Sequence, residues 1–123
     1  MGNTSESSED YLEAILLLGK RLPVVRAVDI AAELNYTKPS VSVALRNLRE
    51  RELITVTDHG YINLTESGRA IADAVFEKHE WFTKWLVSLG IDEDTASRDA
   101  CRMEHDISKE SFEAIKRALP KVY

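Results

Sequence analysis

From Tyr11 to Leu18 apolar residues fall on almost every side of the chain, interrupted only by Glu13. Such a stretch predicts a helix from about Ser8 to Leu18 buried between other elements, with Ser7 or Ser8 as cap and Gly19 as terminator. The spacing of Ala27, Ile30, Ala31 and Leu34 (i, i+3, i+4, i+7) predicts a second helix over 27–34 with those residues as its buried face. Asn35-Tyr36-Thr37 supplies a turn. A third helix starts near Lys38-Pro39, where proline fits the first turn because its missing N–H has no helical partner to lose. Val41, Leu45 and Leu48 line its inner side.

Beyond the third helix the period changes. Leu53 to Thr57 and Tyr61 to Leu64 read as two short strands around Asp58-His59-Gly60, with Gly60 able to take positive φ. Thr65 caps a fourth helix that continues to Leu89 before Gly90, with a stripe of Ile71, Val75, Phe82, Leu86 and Leu89 that contains His79. A fifth helix runs from about Asp94 to Asp106 on Ala96, Ala100, Met103 and Ile107. Ser108 caps a sixth, lined by Phe112, Ile115 and Leu119 up to Pro120.

Helix, short turn, helix and hairpin is the order of a winged helix-turn-helix, whose second helix can enter the major groove and present its N-terminal residues to bases. The expected fold is therefore mainly α: an N-terminal winged helix-turn-helix with a small β-hairpin wing over residues 1–64, then a helical region over 65–123. Thr37, Pro39, Ser40, Ser42 and Val43 would face bases, as short hydroxyl or methyl-bearing groups suited to phosphates and thymine methyls. Lys38, Arg46 and Arg49 are candidates for phosphate contact, which positions a protein without specifying sequence. The same elements can also form a small α+β core with no DNA function. The hairpin directly after the third helix favours the DNA-binding reading.

Charge qualifies that reading. The net charge is −5, which disfavours a polyanionic partner. Between Arg26 and Leu53, however, five bases (Arg26, Lys38, Arg46, Arg49, Arg51) face four acids (Asp29, Glu33, Glu50, Glu52), so the acidic excess lies elsewhere. Bound cations would offset it. With 44% hydrophobic residues the 123-residue chain can bury a core. Its longest apolar run, Ala14 to Leu18, is far below the roughly 20 residues that cross a bilayer. The polar, acidic N-terminal segment argues against a signal peptide, and the single cysteine, Cys101, cannot form an internal disulfide. These features point to the cytoplasm.

Three segments carry groups that ligate metals. Cys101, Glu104 and His105 (i, i+3, i+4) project from one face of the fifth helix, expected at the seam between core and solvent. Asp10 and Glu13 are i, i+3 neighbours on the first helix, and His79 stands in the stripe of the fourth. A thiolate, imidazoles and carboxylates together suit a first-row divalent ion. Each also has a structural role open to it. Asp10 and Glu13 can complement a helix dipole, His79 can be a hydrogen-bonded core histidine, Cys101 a small buried hydrophobe, and Glu104 with His105 a solvated pair. Spacing alone does not bring the three segments together.

Those residues, with the order of elements around them, resemble the diphtheria toxin repressor and manganese transport regulator family of metal-dependent repressors. The likeness covers nearly the whole chain: Glu9 to Glu13, Val28 to Leu53, Leu64-Thr65 with Gly68, Lys78-His79, and the most specific run, Ala100-Cys101-Arg102-Met103-Glu104-His105. It implies that Asp10, His79, Cys101, Glu104 and His105 are metal ligands, with Glu13 on a ligand position of the manganese branch. It also implies that Thr37, Pro39 and Val43 approach bases, and that residues 65–123 are a metal-binding and dimerisation domain.

The branch signals are mixed. Cys101 and Arg102 look like the iron branch, whose members usually have methionine where this chain has Asp10; Asp10 and Glu13 look like the manganese branch. The ancillary site of iron-type members expects ligands where Thr83 and Ser97 stand, and the SH3-like domain of longer members is not expected here. The resemblance implies Fe²⁺ or Mn²⁺ as corepressor, with a lean toward Fe²⁺ from the thiolate, and a homodimer on a palindromic double-stranded DNA operator. The competing readings are a metal-independent winged-helix regulator and a metalloenzyme. No Glu-x-x-His, His-Glu-x-x-His, P-loop or nucleophile elbow occurs, so no enzyme is expected.

Overall fold

The computed structural model describes residues 6–119. They form six helices and one hairpin: α1 (Glu6–Arg21), α2 (Ala27–Leu34), α3 (Lys38–Glu50), β1 (Ile54–Val56), β2 (Ile62–Leu64), α4 (Glu66–Ser88), α5 (Glu93–Asp106) and α6 (Lys109–Ala118). The chain divides into two compact units, the first ending at Asp73 and the second beginning at Ala74, within α4. No helix of the described residues is long and apolar enough to cross a membrane.

In the first unit α1 packs against α2, α3 and β2. Tyr11, Leu12, Ala14, Ile15, Leu16 and Leu18 are all buried, as a helix apolar on nearly every side requires. Its ends differ from the expectation. Ser7 and Ser8 lie inside the helix rather than capping it, and Gly19 does not stop it. The Leu22 N–H still reaches the Leu18 carbonyl at 2.8 Å, and a single helical glycine costs only about 1 kcal/mol. Lys20 and Arg21 complement the last carbonyls, and Pro23 then bars continuation by pushing Leu22 out of the α region.

On α2 only Ile30 is fully buried. Ala31 and Leu34 are half-buried and Ala27 is exposed, so the expected four-residue face is narrower than its spacing suggests. Asn35 ends the helix in the left-handed region (φ 58°), and the Tyr36 N–H bonds back to the Ala31 carbonyl at 3.1 Å. Val41, Leu45 and Leu48 of α3 are buried as expected. β1 and β2 pair antiparallel with Ile54 opposite Leu64 and Val56 opposite Ile62, turning through Gly60 at φ 81°. The Ile62 N–H is taken by the Val25 carbonyl at 2.8 Å, which covers part of an otherwise open strand edge.

The second unit is built on aromatic packing. Trp81 and Phe82 of α4 meet Ala100 of α5 and Phe112 of α6, flanked by half-buried Trp85, Met103, Ile107 and Ile115. Trp81 stands edge-on to both Phe82 (5.4 Å) and Phe112 (6.0 Å), a favoured geometry for aromatic pairs. Leu89, expected in the buried stripe of α4, is exposed. It lies past the last helical residue, Ser88, where Gly90 (φ 97°) turns the chain away.

Asp92 caps α5 by accepting the Thr95 N–H at 3.1 Å, and that bond holds its carboxyl below the ordinary carboxylate value. A depressed folded-state pKa gives stability that is present above the unfolded value and lost as pH falls through the folded one. Asparagine caps as well as aspartate but does not titrate. Asp92→Asn is therefore expected to leave the neutral-pH melting temperature close to wild type and to lessen the decline below the carboxylate range, as measured by melts from pH 7 to pH 3.

Candidate metal centre and nucleic-acid interface

α5 carries Ala96, Ala100 and Glu104 on one i, i+4, i+8 row, and all three are buried. The two alanines set no bulk on this row, so it is covered along its length and Glu104 goes inside with them. Its side chain is 0% exposed. The expectation that Cys101, Glu104 and His105 share a boundary position is therefore corrected: Glu104 lies in the interior, His105 is half-buried and Cys101 is exposed. Cys101 is accordingly no core hydrophobe.

His79 comes from α4, its side chain 24% exposed. Its Nδ1 lies 3.3 Å from Glu104 Oε1, and its Nε2 lies 3.3 Å from Ser97 Oγ. Thr83 Oγ1 donates to the His79 carbonyl at 2.7 Å. Among the described residues, neither carboxylate oxygen of Glu104 accepts a hydrogen bond. An ionised carboxylate held this way costs several kcal/mol relative to water. A cation would offset that cost, and buried carboxylate with imidazole is a fitting donor pair for a first-row divalent ion.

In the first unit Asp10 and Glu13 are both half-buried on α1. Because α1 already runs from Glu6, they sit in its second and third turns. The helix macrodipole acts chiefly within the first turn, so dipole complementation does not account for them.

The DNA-facing expectations all fall on the outside of one element. Thr37, Lys38, Pro39, Ser40, Ser42, Val43, Arg46 and Arg49 are exposed, while Val41, Leu45 and Leu48 hold the helix from beneath. Thr37 is also the N-cap of α3. Its hydroxyl oxygen accepts the Ser40 N–H at 3.3 Å and lies 3.0 Å from Ser40 Oγ. No acidic partner holds Lys38, Arg46 or Arg49 among the described residues.

Two features were not read from the sequence. A groove of about 610 Å³ beside α3 is lined by Tyr11, Tyr36, Pro39, Val43 and Asn47, among others, and gives the helix an apolar flank. On the wing, His59 packs against Tyr61 (5.6 Å between ring centres), and the Arg26 guanidinium lies 5.1 Å above the Tyr61 ring. Arg26 and Tyr61 are 35 positions apart, so no local spacing could link them.

Residues 3–61 match the family described as the iron dependent repressor, N-terminal DNA binding domain. Residues 65–122 match the iron dependent repressor, metal binding and dimerisation domain. The chain belongs to the iron-dependent repressor family. It is 33% identical over 111 residues to the transcriptional regulator MntR of Escherichia coli O6:H1, covering 90% of this chain and 72% of that protein. It is 34% identical over 119 residues to an uncharacterized HTH-type transcriptional regulator of Methanocaldococcus jannaschii, with 95% of each chain covered. The iron-dependent repressor IdeR of Mycobacterium tuberculosis is 31% identical over 123 residues, of which this chain spans 52% of the length.

Among solved structures, a manganese-dependent transcriptional repressor in complex with manganese superposes with a TM-score of 0.82. It is 29% identical, covering 92% of this chain and 52% of that one. Family membership makes this chain a DNA-binding transcriptional repressor of the metal-dependent kind.

Proposed function

We propose that operator binding by this chain is switched by one divalent iron or manganese ion, held by His79, Cys101, Glu104 and His105 together with Asp10 and Glu13 of α1. The observation that carries the reading is the buried Glu104 carboxylate, facing His79 and accepting no hydrogen bond among the described residues. A bound cation would offset the repulsion among this carboxylate and those of Asp10 and Glu13. The ligands then belong to both halves of the chain, the DNA-binding half (1–64) and the metal-binding and dimerisation half (65–123). Joining them narrows the orientations open to α3, so a homodimer can face two half-sites of a palindrome on grooves that recur about every 34–36 Å. Linkage requires DNA to tighten metal binding by the same factor.

The exposed apolar residues Val87, Leu89 and Ile91 suit the dimer role, since a unit of this size gains stability by covering such groups with a second copy. We assign no catalytic step, and we place the protein in the cytoplasm, where its operator lies.

The test is a gel shift on operator DNA, selected from random duplexes, across a series of divalent ions. Affinity is expected to rise with Fe²⁺ or Mn²⁺ and not with Mg²⁺ or Ca²⁺; equal affinity with and without every ion overturns the switch. In the same assay Arg46→Ala is expected to weaken specific and non-specific duplexes alike and to lower the salt slope by about one, the signature of one lost phosphate contact.

A further inference from the structure

We propose that Ser97 is the positioning residue of His79: its hydroxyl holds Nε2, and so presents Nδ1 as the atom that takes the cation. The inference rests on the metal reading above. His79 stands between two residues of α5, Ser97 and Glu104, which are two helical turns apart and so share a face. Nε2 meets Ser97 Oγ and Nδ1 meets Glu104 Oε1, each at 3.3 Å.

The requirement comes from the proton count of imidazole. A neutral ring carries one N–H, and a nitrogen that ligates a metal must offer its lone pair. With Nδ1 as ligand, the proton belongs on Nε2 and needs an acceptor there. Ser97 Oγ is that acceptor. A hydroxyl is also a donor, so it can hold Nε2 in either tautomer of the neutral ring.

Turning the ring over does not replace this arrangement, because it would set Cδ2 against Glu104 and Cε1 against Ser97. Buried Phe82 of α4 and Ala100 of α5 belong to one core cluster, which ties the two helices together. Partners of ligating histidines of this kind change metal affinity by about 10–100-fold when removed.

The experiment compares wild type, Ser97→Ala and Ser97→Thr, using Mn²⁺ and anaerobic Fe²⁺ titrations and the ¹⁵N resonances of His79 in the metal-free protein. Ser97→Ala is expected to weaken Mn²⁺ and Fe²⁺ binding by at least about tenfold and to move the Nε2 resonance, with its melting temperature unchanged. Ser97→Thr, which keeps the hydroxyl, is expected to restore binding to within about threefold of wild type. Wild-type affinity in Ser97→Ala overturns the inference, as does a loss in Ser97→Thr equal to that in Ser97→Ala, which would mark a packing effect. If wild type takes up neither ion, the metal reading fails. The Nε2 resonance then still judges Ser97, because an unmoved signal in Ser97→Ala removes its claim on the ring.

Discussion

Glu104→Gln is expected to abolish metal-responsive operator binding while leaving the metal-free protein at least as stable as wild type. The substitution keeps volume and shape, so the buried row with Ala96 and Ala100 stays packed. What it removes is the negative charge 3.3 Å from His79 Nδ1. Losing an anionic ligand should weaken Mn²⁺ or Fe²⁺ binding by more than the roughly 10–100-fold of an outer-shell change. Operator affinity in saturating wild-type metal concentrations should then fall to the metal-free level. Stability moves the other way for the same reason. A carboxylate with neither oxygen accepting a hydrogen bond is costlier to bury than a neutral amide. Isothermal titration with metal and a thermal melt of the metal-free variant read the two effects separately. Unchanged metal affinity would remove Glu104 from the site.

Gly68→Ala is expected to destabilise the first unit by about 3 kcal/mol, against the gain that alanine brings to an ordinary helical position. Thr65 Oγ1 accepts the Gly68 N–H at 3.1 Å and donates to the Glu52 carbonyl at 2.7 Å, drawing the first turn of α4 onto the link between α3 and β1. A Cβ on Gly68 would overlap the Leu53 carbonyl oxygen. That carbonyl cannot give way easily. It accepts the Thr65 N–H at 3.1 Å, the Leu53 N–H is bonded to the Leu48 carbonyl at 2.9 Å, and Glu52 before it is already in the left-handed region at φ 60°. Gly19 provides the contrast. It is helical and exposed, and a Cβ there meets nothing within 4 Å. Gly19→Ala should therefore stabilise by roughly 0.5–1 kcal/mol through reduced chain entropy. Urea unfolding of both variants gives the comparison, and equal shifts of either sign would contradict it.

The features legible in the sequence were those encoded over a few residues. Val41, Leu45 and Leu48 announced the inner face of α3, and with it the outward placement of Ser42, Val43, Arg46 and Arg49. Thr65 and Ser108 stood where helix caps belong; Thr65 accepts the Gly68 N–H and Ser108 the Ser111 N–H. Asp58-His59-Gly60 announced the hairpin turn. The order of these elements was enough for the winged helix-turn-helix, and Ala100 to His105 for the family.

Burial and partnership were not encoded locally. Helical spacing defines a face relative to the helix's own axis, but it does not say which neighbour covers that face or how deeply. Glu104, Cys101 and His105 looked equivalent by spacing and differ by full burial, exposure and half-burial in the fold. Gly19 read as a stop, yet an uninterrupted backbone bond carries the helix past it. Ser97 read only as a departure from the ancillary ligand pattern until α4 and α5 set its hydroxyl against His79, 18 residues earlier. The sequence by itself determined which elements form and which residue types line them, because caps, turns and periodicity are short-range. Only the tertiary structure decided which polar groups leave water and what they meet there, because desolvation depends on atoms brought together from distant parts of the chain.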